Sequence, residues 1–236
     1  NGVFDAATEA RIESGLNTLT NSTLDLVALA ASRGLLTKDV ALNAIGSLAA
    51  FNKLDFDALS TAAADRIQQT LTSAILKTYA AAAQAGVVDK DVFLKAMDMV
   101  IGLGQKLETN DLTTAAALRS FETLNQIIAA TPDKSILQDA AIAARMTEFA
   151  DRHIGVLGES IRSSVANGAR APTQDNLDRI SKAVAAILSG IDLRTVKAET
   201  VASLYDKLFQ LPRVTVRALK DAGRLDEASA LEALNI

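Results

Sequence analysis

Few residues in this chain are able to do chemistry, and none stands in a constellation that chemistry needs. The single histidine, His153, follows Asp151-Arg152. A histidine beside a carboxylate serves as a general base, whereas metal sites draw on several such ligands. Alone in a helical stretch, His153 reads as a partly exposed helical side chain. The chain has no cysteine, so disulfides, thiolate chemistry and Cys–His catalysis are excluded. It also lacks the Gly-x-Ser-x-Gly elbow of serine-based acyl transfer.

Ile101-Gly102-Leu103-Gly104 offers two glycines of a dinucleotide loop, but Leu107 takes the third place and both flanks read as helix. A close helix contact or a fraying helix end explains it better. Asp55-Phe56-Asp57 and Asp89-Lys90-Asp91 imitate calcium ligands. A calcium loop gathers roughly five or more oxygen donors within about twelve residues around a turn glycine. Neither stretch does so, and both sit where a helix needs a cap. Glu148 with Asp151, and Asp221 with Asp226, read as solvated surface charge. No catalytic residue, metal ligand or cofactor is expected.

What recurs is a structural corner. Gly34-Leu35-Leu36-Thr37-Lys38-Asp39-Val40-Ala41-Leu42-Asn43-Ala44 returns 52 residues later as Gly86-Val87-Val88-Asp89-Lys90-Asp91-Val92-Phe93-Leu94-Lys95-Ala96. A helix ends at the glycine, which enters the left-handed region without a Cβ clash. Two apolar residues fill the space where helices meet, and Thr37 or Asp89 caps the next helix, worth about 1 kcal/mol relative to Ala. Gly223 with Asp226, the stretch from Asn1 to Asp5, and a longer variant from Asn167 to Thr173 share the form. Leu112 to Arg119 echoes Leu59 to Arg66 with six of eight residues identical. The offsets predict an internal repeat of about 52 residues built from stacked helical hairpins.

The elements that carry these corners follow from apolar spacing. Asp5 caps a helix to about Leu19, Thr20 to Thr23 is a polar break, and a short helix covers Leu24 to Arg33. The sequon Asn21-Ser22-Thr23 falls in that break, where Asn21 would be an accessible glycan acceptor in a secreted protein. Val40, Ala44, Ile45 and Leu48 form one stripe, and Leu59, Ala63, Ile67, Leu71, Ile75 and Tyr79 another. Phe93, Met97, Val100 and Ile101 follow, then Leu177, Ile180, Val184, Ile187 and Leu188, then Val201, Leu204, Tyr205 and Leu208. Gly155 and Gly158 predict a kink, and Pro212 the first turn of a new helix. The Met, Phe and Tyr side chains are expected in the core.

Composition agrees. Aromatics make up 4%, there are 3 prolines, and Ala accounts for about a fifth of the 236 residues. Such a composition is that of an all-α chain of antiparallel helical hairpins, in a bundle or a short superhelical stack. It is read as a single all-helical repeat domain over 1–236, with a subdivision near 131–134. A net charge of −4 and the lack of any basic run longer than two residues argue against nucleic acid. No stretch reaches the roughly 18 apolar residues of a membrane span. The start at Asn1 without Met, and an end resembling half a repeat, suggest a segment of a longer or processed protein. Extracellular or cell-surface assembly and cytoplasm both fit.

These features favour a non-catalytic scaffold or assembly subunit whose partner is a protein, either a second copy or another chain. Leu231 and Leu234 on a final helix from about Glu227 to Asn235 are the expected interface. The alternative is a carrier of a small apolar ligand between helices.

Overall fold

The computed structural model describes residues 3–108 and 112–226, with nothing said of the side chains of Ala50 and Asn52. Among the described residues there are eight α-helices and no strand. They are α1 (Ala6–Ser32), α2 (Lys38–Leu48), α3 (Thr61–Gln84), α4 (Lys90–Glu108), α5 (Thr114–Ala130), α6 (Ala140–Ala166), α7 (Gln174–Gly190) and α8 (Ala198–Asp221). The chain divides into two compact units, one within Asn1–Asn110 and Glu122–Ile136, the other within Asp111–Phe121 and Leu137–Ile236.

In the first unit α1 packs on α3, and α2 packs on α1, α3 and α4. The stripe from Leu59 to Tyr79 is buried along its length, as are Phe93, Met97, Val100 and Ile101 of α4. Helix α3 starts at Thr61, where the Ser60 hydroxyl accepts from the Ala63 N–H. The preceding residues form a short 3-10 turn that buries Phe56. Under the first corner Leu36, Val27 and Ala44 form a small core, joined by Val40 and Val87.

The break expected at Thr20 to Thr23 is absent, because α1 runs through it. The Thr20 hydroxyl donates to the Leu16 carbonyl at 2.9 Å, and Thr23 bonds Ser47 of α2 at 3.4 Å. A threonine that satisfies its hydroxyl within the helix or across to a neighbour gives the chain no reason to open.

In the second unit α6 packs on α8, and α7 lies against both. The Thr173 hydroxyl caps α7, which buries Leu177, Ile180, Val184, Ile187 and Leu188 along one stripe. Two expected interruptions do not occur. Helix α6 passes Gly155 and Gly158 unbroken, and α8 passes Pro212. A proline inside a helix costs about 3 kcal/mol. The buried Leu204, Leu208, Leu211 and Leu219 on either side of it outweigh that, at roughly 1.5–3 kcal/mol each. Tyr205, expected inward, is 39% exposed, and Phe209 is 77% exposed.

Candidate functional site

Four helices end in one backbone device. Gly34, Gly86, Gly168 and Gly223 have φ between 66° and 90°. Each glycine N–H donates to the carbonyl three residues back, and the next N–H to the carbonyl five back, as in Leu35 to Ala30, Val87 to Ala82, Ala169 to Ser164 and Arg224 to Leu219. This Schellman arrangement satisfies the last carbonyls of a helix. Thr37 then accepts from the Val40 N–H at 3.3 Å, and Asp89 accepts from those of Asp91 and Val92 at 3.0 and 3.1 Å. Leu36 is buried but Leu35 faces outward, so one apolar residue of the first corner fills the junction and the other does not. Asp226 is exposed at the end of the described residues, and the helix expected after it, with Leu231 and Leu234, lies outside them.

The acidic residues resembling calcium ligands have other work. Asp55 accepts from the Asp57 N–H. Lys38 at the first corner donates to Asp91 and pairs with Asp89 at the second. These bonds push the lysine above its ordinary pKa, and the Lys38 bond, with the backbone donors, holds the Asp89 carboxyl below its own. Among the described residues no three His, Cys, Asp or Glu side chains converge on a metal position.

Other bonds tie helix to helix. Arg66 of α3 makes a forked pair with Glu13 of α1, and the Ser60 hydroxyl donates to Glu9. Tyr79 bonds Thr131 at 2.8 Å, and burial pushes its phenol up to about 12 despite that bond. In the second unit Lys207 of α8 donates to the Asp151 carboxylate at 2.7 Å and to its carbonyl at 3.2 Å. Lys207 passes over Gly155, where a Cβ would stand 3.6 Å from the lysine nitrogen, an ordinary van der Waals contact. Asp151 is therefore a half-buried ion-pair partner and not the solvated charge its sequence suggested. Glu148, its expected companion, is exposed.

His153 is fully buried, contrary to the half-exposed reading. It stacks on Phe149 at 4.7 Å between ring centroids and meets Phe121 edge-on at 5.4 Å. Aromatic contacts of this geometry add about 0.5–1.5 kcal/mol beyond burial. The spacing from Met146 through Phe149 and His153 to Leu157 was the signal, because it places the histidine on the apolar stripe. Gly102 and Gly104 lie inside α4, with no phosphate loop around them. Asn21 is exposed on α1 rather than in a loop, and Thr23 of its triplet is buried.

Two apolar patches remain uncovered. Leu26, 67% exposed, and Leu29 lie on α1 near the exposed Leu35. On α8, Tyr205 and Phe209 stack on each other at 6.5 Å. Sequence reasoning missed both, although Leu26 and Phe209 fall off the buried stripes of their helices by about one residue's rotation. A cleft of about 420 Å³ in the second unit is lined by Leu112, Ser160, Ile161, Val165, Arg170 and Pro172. No described helix is long and apolar enough to cross a membrane. No known protein family matches the sequence, and no curated relative is found for it.

Proposed function

We propose that the chain is a non-catalytic structural and protein-interaction module, a scaffold or subunit of a larger assembly built from duplicated helical hairpins. The observation that carries this is the pair of uncovered patches, Leu26 with Leu29 and Tyr205 with Phe209, on helices whose buried apolar residues are Leu16 and Val27 in α1 and Leu204, Leu208, Leu211, Ala218 and Leu219 in α8. Exposed apolar patches rimmed by polar residues mark contact surfaces. Asp55 and Asp89 serve as caps, Glu13 with Arg66 and Asp151 with Lys207 as helix-to-helix pairs, and His153 sits in the aromatic core.

The test is chemical cross-linking of the protein within its native source, mapped by mass spectrometry with carboxylate- and amine-reactive reagents. Intermolecular links should concentrate at Asp25, Asp206 and Lys207, beside the two patches. Links confined to other surfaces would remove the reading. An enzymatic activity abolished by His153→Ala would remove its non-catalytic part.

A second reading, a carrier of a small apolar molecule, is supported by the 420 Å³ cleft. Native mass spectrometry after gentle purification should then show a bound mass, and a clean apo mass counts against it.

A further inference from the structure

Helix α8 shows solvent a face of two chemistries in sequence. Tyr205 and Phe209 lead to Arg213, Arg217 and Lys220, and all five are exposed. Steps of three and four residues keep them on one side of the helix, each about a turn beyond the last. From Lys207 to Lys220 there is no acidic residue. Helix α6, by contrast, exposes Arg145, Glu148, Arg152, Glu159 and Arg162, which alternate in sign. Such alternation is the ordinary solvated surface of a helix. The macrodipole accounts for Lys220, which stands in the last turn of α8. It does not account for Arg213 and Arg217, because the effect fades within that turn.

Beside the cationic half lies a groove of about 580 Å³, lined by Arg162 and Ala166 of α6 and by Arg217, Ala218, Asp221 and Ala222. Each arginine has one local acid, Glu159 for Arg162 and Asp221 for Arg217. The Arg217–Asp221 separation is 3.9 Å, with the two side chains 81% and 70% exposed. Pairs this open contribute little, so an incoming carboxylate competes for the arginine on nearly even terms.

The face asks two things of a partner: an apolar contact at Tyr205 and Phe209, and negative charge about 6–16 Å further along the helix. We propose that α8 docks an acidic protein segment, its apolar residue against the aromatic pair and its carboxylates along Arg213, Arg217, Lys220 and Arg162. The inference rests on the interaction-module reading and gives that partner its chemistry. Charge complementarity carries it, since this face is locally positive on a chain of net charge −4. A uniformly anionic surface fits less well. It would set negative charge against Asp206, which is exposed between the two aromatic residues and accepts from the Gln210 amide at 2.6 Å. A protein segment can carry its acids at one end only and leave Asp206 to an apolar or basic residue.

The test uses the purified full chain and fluorescein-labelled peptides of about eighteen residues, long enough as helices to span Tyr205 to Lys220. One peptide has leucines in its first half and glutamates in its second, and another has the halves reversed. A matching pair replaces every glutamate with glutamine. One glutamate peptide should bind, more weakly as salt is added, and its glutamine counterpart should bind less tightly. Arg213→Gln with Arg217→Gln should weaken the glutamate peptide about two- to thirtyfold, the range of two exposed ion pairs, and leave the glutamine peptide unchanged. Phe209→Ser should weaken both by the same factor. Arg145→Gln with Arg152→Gln removes equal charge from α6 and should change neither. Circular dichroism checks that each variant stays helical.

Equal affinity for the glutamate and glutamine peptides would overturn the proposal. So would no binding in either order, or equal weakening by the α6 and α8 changes. Phosphatidylserine vesicles or an oligothymidylate that bind this face more tightly than the peptides would overturn it too, and assign the face to an anionic surface. If the peptides fail while native-source links still join α8 to another polypeptide, the acidic partner is wrong and the module reading stands. If the peptides fail and the links avoid both patches, both readings fall.

Discussion

At Gly86 and at Gly223 the backbone turns through the same left-handed residue, with φ of 69° and 66°, yet the side chains that lock the two corners differ in kind. In the first unit Lys38 reaches the carboxylates of Asp89 and Asp91, so the corners are held by charge on both sides. In the second, Arg224 donates to the backbone carbonyls of Val165 and Ala169, at 3.0 and 2.7 Å. A carbonyl does not titrate and an arginine stays charged, so that lock is indifferent to pH. One geometry thus serves two electrostatic designs, and the difference lies wholly in the residues around the glycine.

The interiors differ as well. The first unit buries a tyrosine with a hydroxyl partner, and the second buries a histidine between two phenylalanines. Phe121→Ala should give the largest effect, a loss of about 3–5 kcal/mol in urea unfolding, because it opens a cavity beside His153. A loss under about 1 kcal/mol would mean that the aromatic cluster is not the anchor of its unit.

Next in size are the cap glycines. Gly86→Ala and Gly223→Ala should each cost about 1–2 kcal/mol, the cost of a left-handed residue with a Cβ. Open space surrounds both positions, so backbone strain alone is measured. Unequal losses would break the equivalence of the two corners.

Arg224→Gln should cost about 1 kcal/mol, the scale of a lost hydrogen-bond donor, with the same unfolding midpoint shift at every pH from 3 to 9. Asp89→Asn should behave in the opposite way. The lowered Asp89 carboxyl stabilises the fold above its ordinary pKa, and that contribution is lost as pH falls through the lowered value. Lys38, raised, keeps its contribution until pH rises past its ordinary value and through the raised one. The gap between parent and Asp89→Asn should therefore be widest near neutrality, close below pH 4 and shrink with added salt. A gap unchanged at low pH would show that the amide replaces the carboxylate fully.

The helical stripes of α3, α4 and α7 were legible because buried residues recur there at helical spacing with little competition. The corners were legible because glycine, an apolar pair and a cap residue stand in fixed order. Thr20 to Thr23 and Pro212 misled for one reason: each is a local disruption overruled by contacts elsewhere. Thr23 finds Ser47, and Pro212 is carried by the leucines of its stripe. The exposure of Tyr205 and the burial of His153 depend on whether a neighbouring helix covers that position, which no single helix states about itself. The candidate contact faces were hidden on the same ground, since a stripe is recognisable as uncovered only once its counterparts are seen covered.

The side-chain bonds that join one long helix to its neighbour also set how the chain finds its fold. Ser60 to Glu9, Arg66 to Glu13, Tyr79 to Thr131, Lys207 to Asp151 and Arg224 to Val165 close loops of 51 to 59 residues. Closure entropy varies with the logarithm of loop length, so these loops differ by only about 0.1 kcal/mol. None of these five links has a head start over another from chain length. The order in which these long-range links close is left to side-chain packing.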